Sequence, residues 1–183
     1  MTGEESKKPG CMDLLPLDAD TQFELAADWL SRKRIYQWLD FGNGPQPLHP
    51  ALLKIMAQKN EHVLRLFTDD RDHRPIGILG LSNVNRSCGT AMLWEVLGER
   101  RYSCKGYAHR AAAAMLTLGF RVWGLKAINA WAVECNYPSL RILKSLGFKP
   151  MGRQRQCHCL DGRTYDRLWF DLLAAEHPEI SHA

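Results

Sequence analysis

The chain has 183 residues, with 24 Lys and Arg against 20 Asp and Glu and a hydrophobic share of 45%. That length suits one domain with a full core, and a net charge of +4 is too small to call for nucleic acid. No apolar run approaches the roughly 18 residues of a membrane span, and the first residues lack a signal-peptide core.

Residues 1–10, "MTGEESKKPG", are polar and charged and end in proline and glycine, which predicts a disordered leader. The domain is expected over 11–176, with 177–183 as a short tail, in a cytoplasmic protein. "DLLPL" reads as a short strand and Thr21 as the cap of a helix carrying Phe23, Ala26, Ala27 and Leu30 on one face. "RIYQWLDF" continues or restarts that helix, "GNGPQPLHP" breaks the chain, and Pro50 opens another short helix. "HVLRLFTDD" and "PIGILGLSNV" predict adjacent antiparallel strands, and "GTAMLWEVL" a third.

"SCKGYAHRAAAAML", Ser103 to Leu116, sets a glycine directly before a run of alanines. Alanines build helix, and glycine lets backbone approach a ligand closely. A helix start presents unpaired N–H groups and partial positive charge, a seat for an anion. The helix is expected from about His109 to Trp123, with Gly124 as its stop. "KAINAWAVE" is a strand, Asn136 caps a helix with Pro138 in its first turn, and Gly147 ends it. "FKPMGRQRQCHC" and "TYDRLWFDLL", joined by "LDGR", form a closing hairpin. The order predicts one α+β domain, a mixed, mainly antiparallel sheet flanked by helices.

The six cysteines (Cys11, Cys88, Cys104, Cys135, Cys157 and Cys159) form no disulfide framework and read as reduced packing thiols. On a strand, Cys157 and Cys159 share one face and His158 points to the other. No second ligand cluster has matching spacing, so no metal is expected.

This element order, with "CKGYA" between strand and helix, resembles the GNAT acyltransferase superfamily. The family pattern is arginine or glutamine, two variable residues, glycine, one variable residue, then glycine or alanine. Here it reads Ser103-Cys104-Lys105-Gly106-Tyr107-Ala108. Ser103 departs from the longer polar residue, and Cys104 stands where many members carry glycine. "NYPSLRILKSLGF" is similar to the family's asparagine–x–x–serine helix followed by glycine–phenylalanine. "IGILGLSNV" and "DGRTYDRLWFDLL" look like the subgroup that acetylates ribosomal-protein N-termini and assorted small amines.

The resemblance implies acetyl-CoA (coenzyme A) as cofactor and direct attack of an amine on the thioester. The implied cofactor set is Leu97 at the end of its strand, Arg101 (with Arg100 nearby), Ser103 to Ala108, Asn136 and Ser139. Ser139 would donate to the departing sulfur; the place of a tyrosine used by many relatives is Leu143. Cys135 and Tyr137 are lesser candidates for that role. Glu95 and Glu134 are the candidate bases, Asp166 would help hold a cationic amine, and His109 more simply packs or faces solvent. Tyr36, Trp38, Phe41 and Trp94 would line the acceptor pocket. The expected acceptor is a small-molecule amine, with a peptide N-terminus as the alternative, in a monomer or homodimer. A non-catalytic acyl-CoA-binding protein stays open as a further alternative.

Overall fold

The computed structural model describes residues 11–177. The expected leader therefore lies outside the described residues, as do residues 178–183 of the expected tail. Seven strands form one sheet in the order β1-β2-β3-β4-β5-β7-β6. They are β1 (Leu14–Pro16), β2 (Val63–Thr68), β3 (Pro75–Asn85), β4 (Thr90–Leu97), β5 (Ala127–Val133), β6 (Lys149–Leu160) and β7 (Arg163–Leu173). Every neighbouring pair is antiparallel except β4 and β5. The helices are α1 (Asp20–Ser31), α2 (Lys33–Tyr36), α3 (Pro50–Gln58), α4 (Tyr107–Arg121) and α5 (Tyr137–Ser145). The mixed α+β domain is as expected.

Each face of the sheet carries a core. On one, Leu79, Leu81, Ala111, Met115, Leu116, Ile128 and Leu143 pack together beneath α4 and α5. On the other, Phe23, Trp29, Leu30, Leu53, Leu66, Ile78, Trp94 and Val96 pack beneath α1 and α3. Alternation along β3 and β4 sends successive side chains to the two cores, so the central strands are buried on both sides. His177 extends the first core: it is buried, its Nε2 lies 2.8 Å from Thr117 Oγ1, and its ring meets Phe120.

Two helix starts differ from expectation. Thr21 is not the cap of α1; the helix begins at Asp20 behind Ala19. Gln22 performs the capping, its Oε1 accepting the N–H groups of Asp18 and Ala19 at 3.0 and 3.2 Å. Helix α4 begins at Tyr107, two residues before His109, because Gly106 takes the capping place with φ +78°. The other start is as expected: Asn136 caps α5, its Oδ1 accepting the Ser139 N–H at 3.4 Å.

The feature that makes a site is a divergence of two strands. β4 and β5 pair only at Thr90–Ala127, Ala91–Ile128 and Met92–Asn129. Beyond them, β4 stays paired with β3 to Leu97, and β5 with β7 to Val133. Each strand follows its outer partner, and the inner edges separate.

Candidate active site

The gap between the diverging strands opens into a cavity of about 410 Å³. Met92 to Leu97 of β4 form one wall and Ala130 to Ala132 of β5 the other. Ser103, Cys104 and Ala108 close one end, and α5 contributes Asn136, Ser139 and Leu143. The chain between α2 and α3 contributes Trp38, Asp40 and Phe41.

The end at α4 is suited to an anion. The first intrahelical donor of α4 is Arg110, whose N–H bonds Gly106 O at 3.0 Å, so the N–H groups of Tyr107, Ala108 and His109 precede the helix's own acceptors. A Cβ on Gly106 would meet no atom within 4 Å, so the space beside the loop is open. Cys104 also has positive φ, +61°. The loop thus bends twice through left-handed backbone, which explains why glycine is common there in the family pattern. The turn after β2 buttresses it. The Tyr102 hydroxyl donates to Asp69 Oδ2 at 2.6 Å, and Arg110 grips both oxygens of Asp70 at 3.0 and 2.8 Å. The Tyr102 hydrogen bond outweighs burial at Asp69 and holds its carboxyl below the usual range. Arg101 and Lys105 are exposed, their charges 5.0 and 5.4 Å from the Tyr102 ring centre.

In the wall of β4, Glu95 is half-buried and has no hydrogen-bond partner among the described residues. Burial pushes its carboxyl up from 4.5 to about 7. A carboxyl poised near neutrality in a cavity is the property expected of a proton acceptor.

At the other end, the chain after α2 is tied to the closing hairpin. Arg167 donates to Asp40 Oδ2 at 2.6 Å and, through Nε, to His158 Nδ1 at 3.2 Å. His158 is 1% exposed and donates from Nε2 to Gln37 O at 2.7 Å, which fixes its neutral tautomer. Burial first, and Arg167 with it, depress its basicity. Asp40 also accepts the N–H groups of Gly42 and Gly44 at 2.8 and 2.9 Å. Burial pushes Asp40 up, but these donors outweigh it and hold the carboxylate below its ordinary range. The guanidinium lies 4.2 Å from the Trp131 ring centre, which braces that wall.

The expected residues divide accordingly. Trp38, Trp94, Glu95, Leu97, Ser103, Cys104, Ala108, Asn136 and Ser139 come together around the cavity, and Phe41 with them. Leu143, in the place of the tyrosine, is 2% exposed and faces the same space. Gly106 and Tyr107 shape the helix start from outside the cavity wall, Tyr107 being buried and edge-on to Tyr102 at 5.4 Å. Tyr36, Cys135, Tyr137 and His109 are not in the lining. Neither are Glu134 and Asp166, which hold the hairpin together: Glu134 Oε1 accepts the Asp166 N–H at 3.0 Å, and Asp166 accepts Gln156 N–H at 2.8 Å and Arg153 at 3.1 Å. Sequence reasoning missed Asp40, Trp131 and Arg167. The only signal was the placing of His158 opposite Cys157 and Cys159.

Among the described residues, no helix is long and apolar enough to cross a membrane, and no group of three His, Cys, Asp or Glu could hold a metal ion.

The chain is similar to known proteins in sequence and in fold. The acetyltransferase (GNAT) domain family matches residues 13–149. An uncharacterized N-acetyltransferase p20 of Bacillus licheniformis is 31% identical over 102 residues, 56% of this chain and 57% of that protein. The uncharacterized N-acetyltransferase YnaD of Bacillus subtilis is 33% identical over 75 residues, 41% of this chain and 44% of its own length. The matched stretch thus spans about half the length of these relatives. The fold is that of the spermidine N-acetyltransferase from Vibrio cholerae, solved in complex with CoA and spermine. It superposes with a TM-score of 0.80 at 16% identity, covering 90% of this chain and 96% of that one. With the family match extending over most of its domain, the chain belongs to the GNAT acetyltransferase family.

Proposed function

We propose that the protein transfers an acetyl group from acetyl-CoA to the primary amine of a small molecule. The observation that carries this reading is the cavity where β4 and β5 part, with the α4 helix start at one end and, in its wall, the carboxyl of Glu95, unpartnered among the described residues. The residues fit the cofactor. First-turn N–H groups of α4 would receive the pyrophosphate, with Arg101 and Lys105 close by for phosphate charge. The β4 edge up to Leu97 would hold the extended pantetheine arm by its backbone groups. Coenzyme A, when bound, supplies a thioester whose carbonyl carbon accepts the amine.

The chain's own residues then have three tasks. Glu95 takes a proton from the ammonium, so that the nitrogen presents its lone pair. A β4 backbone N–H meets the carbonyl oxygen as negative charge grows there. Ser139, in the first turn of α5, donates its hydroxyl hydrogen bond to the sulfur as the C–S bond breaks. Leu143 offers no proton, which leaves Ser139 as the α5 hydroxyl lining the cavity. The walls hold amine and thioester together, and most of the acceleration comes from that positioning.

Support for a small amine comes from the spermidine and spermine named for the Vibrio cholerae fold relative and from the aromatic side chains at the acceptor end. A peptide N-terminus is the acceptor expected if the protein belongs with the ribosomal-protein-acetylating subgroup. A cytoplasmic setting, with its supply of acetyl-CoA, suits either.

Amine-dependent release of coenzyme A thiol tests the reaction. Glu95→Gln is expected to lower kcat by roughly 100-fold or more, with coenzyme A affinity kept. Ser139→Ala is expected to lose more in kcat than in coenzyme A affinity. Saturable coenzyme A binding without turnover across small amines and peptide N-termini would overturn the transferase reading.

A further inference from the structure

The charges around the cavity restrict what the acceptor amine can be attached to, given the transfer reaction proposed above. Two carboxylates and two guanidinium groups line the space: Asp40, Glu95, Arg34 and Arg141. Asp40 is already satisfied by Arg167 and two backbone N–H groups. Glu95 alone is without a partner among the described residues. Arg34 donates to Gly98 O at 2.7 Å, which leaves its charge unneutralised. Arg141 is exposed and in no ion pair among the described residues. With Asp40 matched by Arg167 outside the lining, two unpaired guanidinium groups face the one unpaired carboxyl of Glu95 among the described residues.

An acceptor with several ammonium groups would bring second and third positive charges that no carboxylate meets, and desolvating such charges is costly. Aromatic faces are the other way to hold ammonium. Here the Arg167 guanidinium already lies over the Trp131 ring, and Phe41 and Trp94 meet each other edge to face at 5.1 Å. What Trp38, Phe41, Trp94 and Trp131 offer instead is apolar surface.

We infer that the acceptor is a monoamine whose one ammonium meets Glu95 and whose remaining body is apolar, an arylalkylamine in chemical class, and that polyamines are poor acceptors. In the transfer, the amine nitrogen bonds to the thioester carbon and the carbon–sulfur bond breaks. The ammonium gives one proton to Glu95, which passes it to solvent, and the thiolate takes the second nitrogen proton, leaving amide and coenzyme A thiol. The fold shared with a polyamine enzyme therefore does not extend to its substrate.

The test is kcat/KM for phenethylamine, spermidine and an alanine-initiated peptide, measured on the full chain and on Arg34→Glu. Phenethylamine should exceed spermidine by about tenfold or more, the scale on which one unsatisfied group in a pocket discriminates. Arg34→Glu should raise the spermidine value severalfold, and by a larger factor than it changes the phenethylamine value. Spermidine equal to or better than phenethylamine overturns the inference and leaves the transferase reading standing, as does preference for the peptide. No turnover with any of the three overturns both.

Discussion

The two ends of the cavity are built differently. The end at α4 comes from nearby stretches of chain: the β4 edge, the loop through Cys104 and Gly106, and the start of α4 follow one another within about twenty residues. The acceptor end is assembled across the molecule, with Gln37 bonded to His158 and Asp40 to Arg167 over separations of 121 and 127 residues. The first end depends on backbone conformation, so side chains such as Ser103 and Cys104 can depart from the family pattern while the helix start stays in place. The second depends on side-chain pairing, and losing one partner undoes it. On the proposed reading, that asymmetry assigns cofactor recognition to local structure and acceptor recognition to tertiary structure.

The sharpest way to separate the two ends is Arg167→Met. Arg167 and Asp40 are only 10% and 15% exposed, so the change strands a carboxylate away from water. We expect a loss of about 3–5 kcal/mol, roughly 10 °C in thermal midpoint, read by calorimetry. The acceptor KM should rise while coenzyme A affinity stays. A parallel loss of coenzyme A affinity would show that the two ends are one unit.

Glu95→Gln comes next, and pH dissects it. The folded carboxyl titrates near 7, above its ordinary 4.5, so the native state holds a proton that the unfolded chain releases. Stability is therefore fully present below about pH 4.5 and falls as pH rises to 7. The ionised carboxyl costs up to about 3 kcal/mol at pH 8. The glutamine variant should melt higher than wild type at pH 8 and equally at pH 4.5, while its loss of activity should be full at pH 8 and largely vanish at pH 4.5, where Glu95 is already protonated. In the wild type, kcat should climb with pH through about 7 as Glu95 ionises. A midpoint unchanged at pH 8 would mean that the carboxylate is well solvated and not poised as a base.

The smallest effect concerns the local end. Cys104 adopts φ +61°, which suits glycine better than a residue with a Cβ. Cys104→Gly should stabilise by up to about 1 kcal/mol, the relieved strain being partly offset by greater freedom in the unfolded chain. Coenzyme A affinity should hold or improve slightly. A drop in stability would show that the cysteine side chain, rather than the backbone, holds the loop.

The legible part of the site follows the same division. Gly106 before the alanine run and Asn136 before Pro138 announce two helix starts, and both lie where the sequence puts them, to within two residues. Their physics is short-range: a left-handed turn, a cap, an unpaired row of N–H groups. Glu95 and Ser139 could be named from their places on those elements. Glu134 and Asp166 look equally fit as carboxylates near strand ends. Nothing local reveals that the hairpin uses them to pin its own backbone, with Glu134 accepting the Asp166 N–H.

The order of elements, the alternation that buries both faces of β3 and β4, and the unpaired N–H groups at the start of α4 are written in the sequence. Those features arise from neighbours in the chain, where propensity, capping and period suffice. That β4 and β5 part after Met92, that Glu95 has no hydrogen-bond partner among the described residues, and that Arg167 ties Asp40 to His158 all emerge from tertiary packing. Strand divergence depends on which outer neighbour each strand follows. The charge pairing depends on residues more than a hundred positions apart, and no local pattern encodes either.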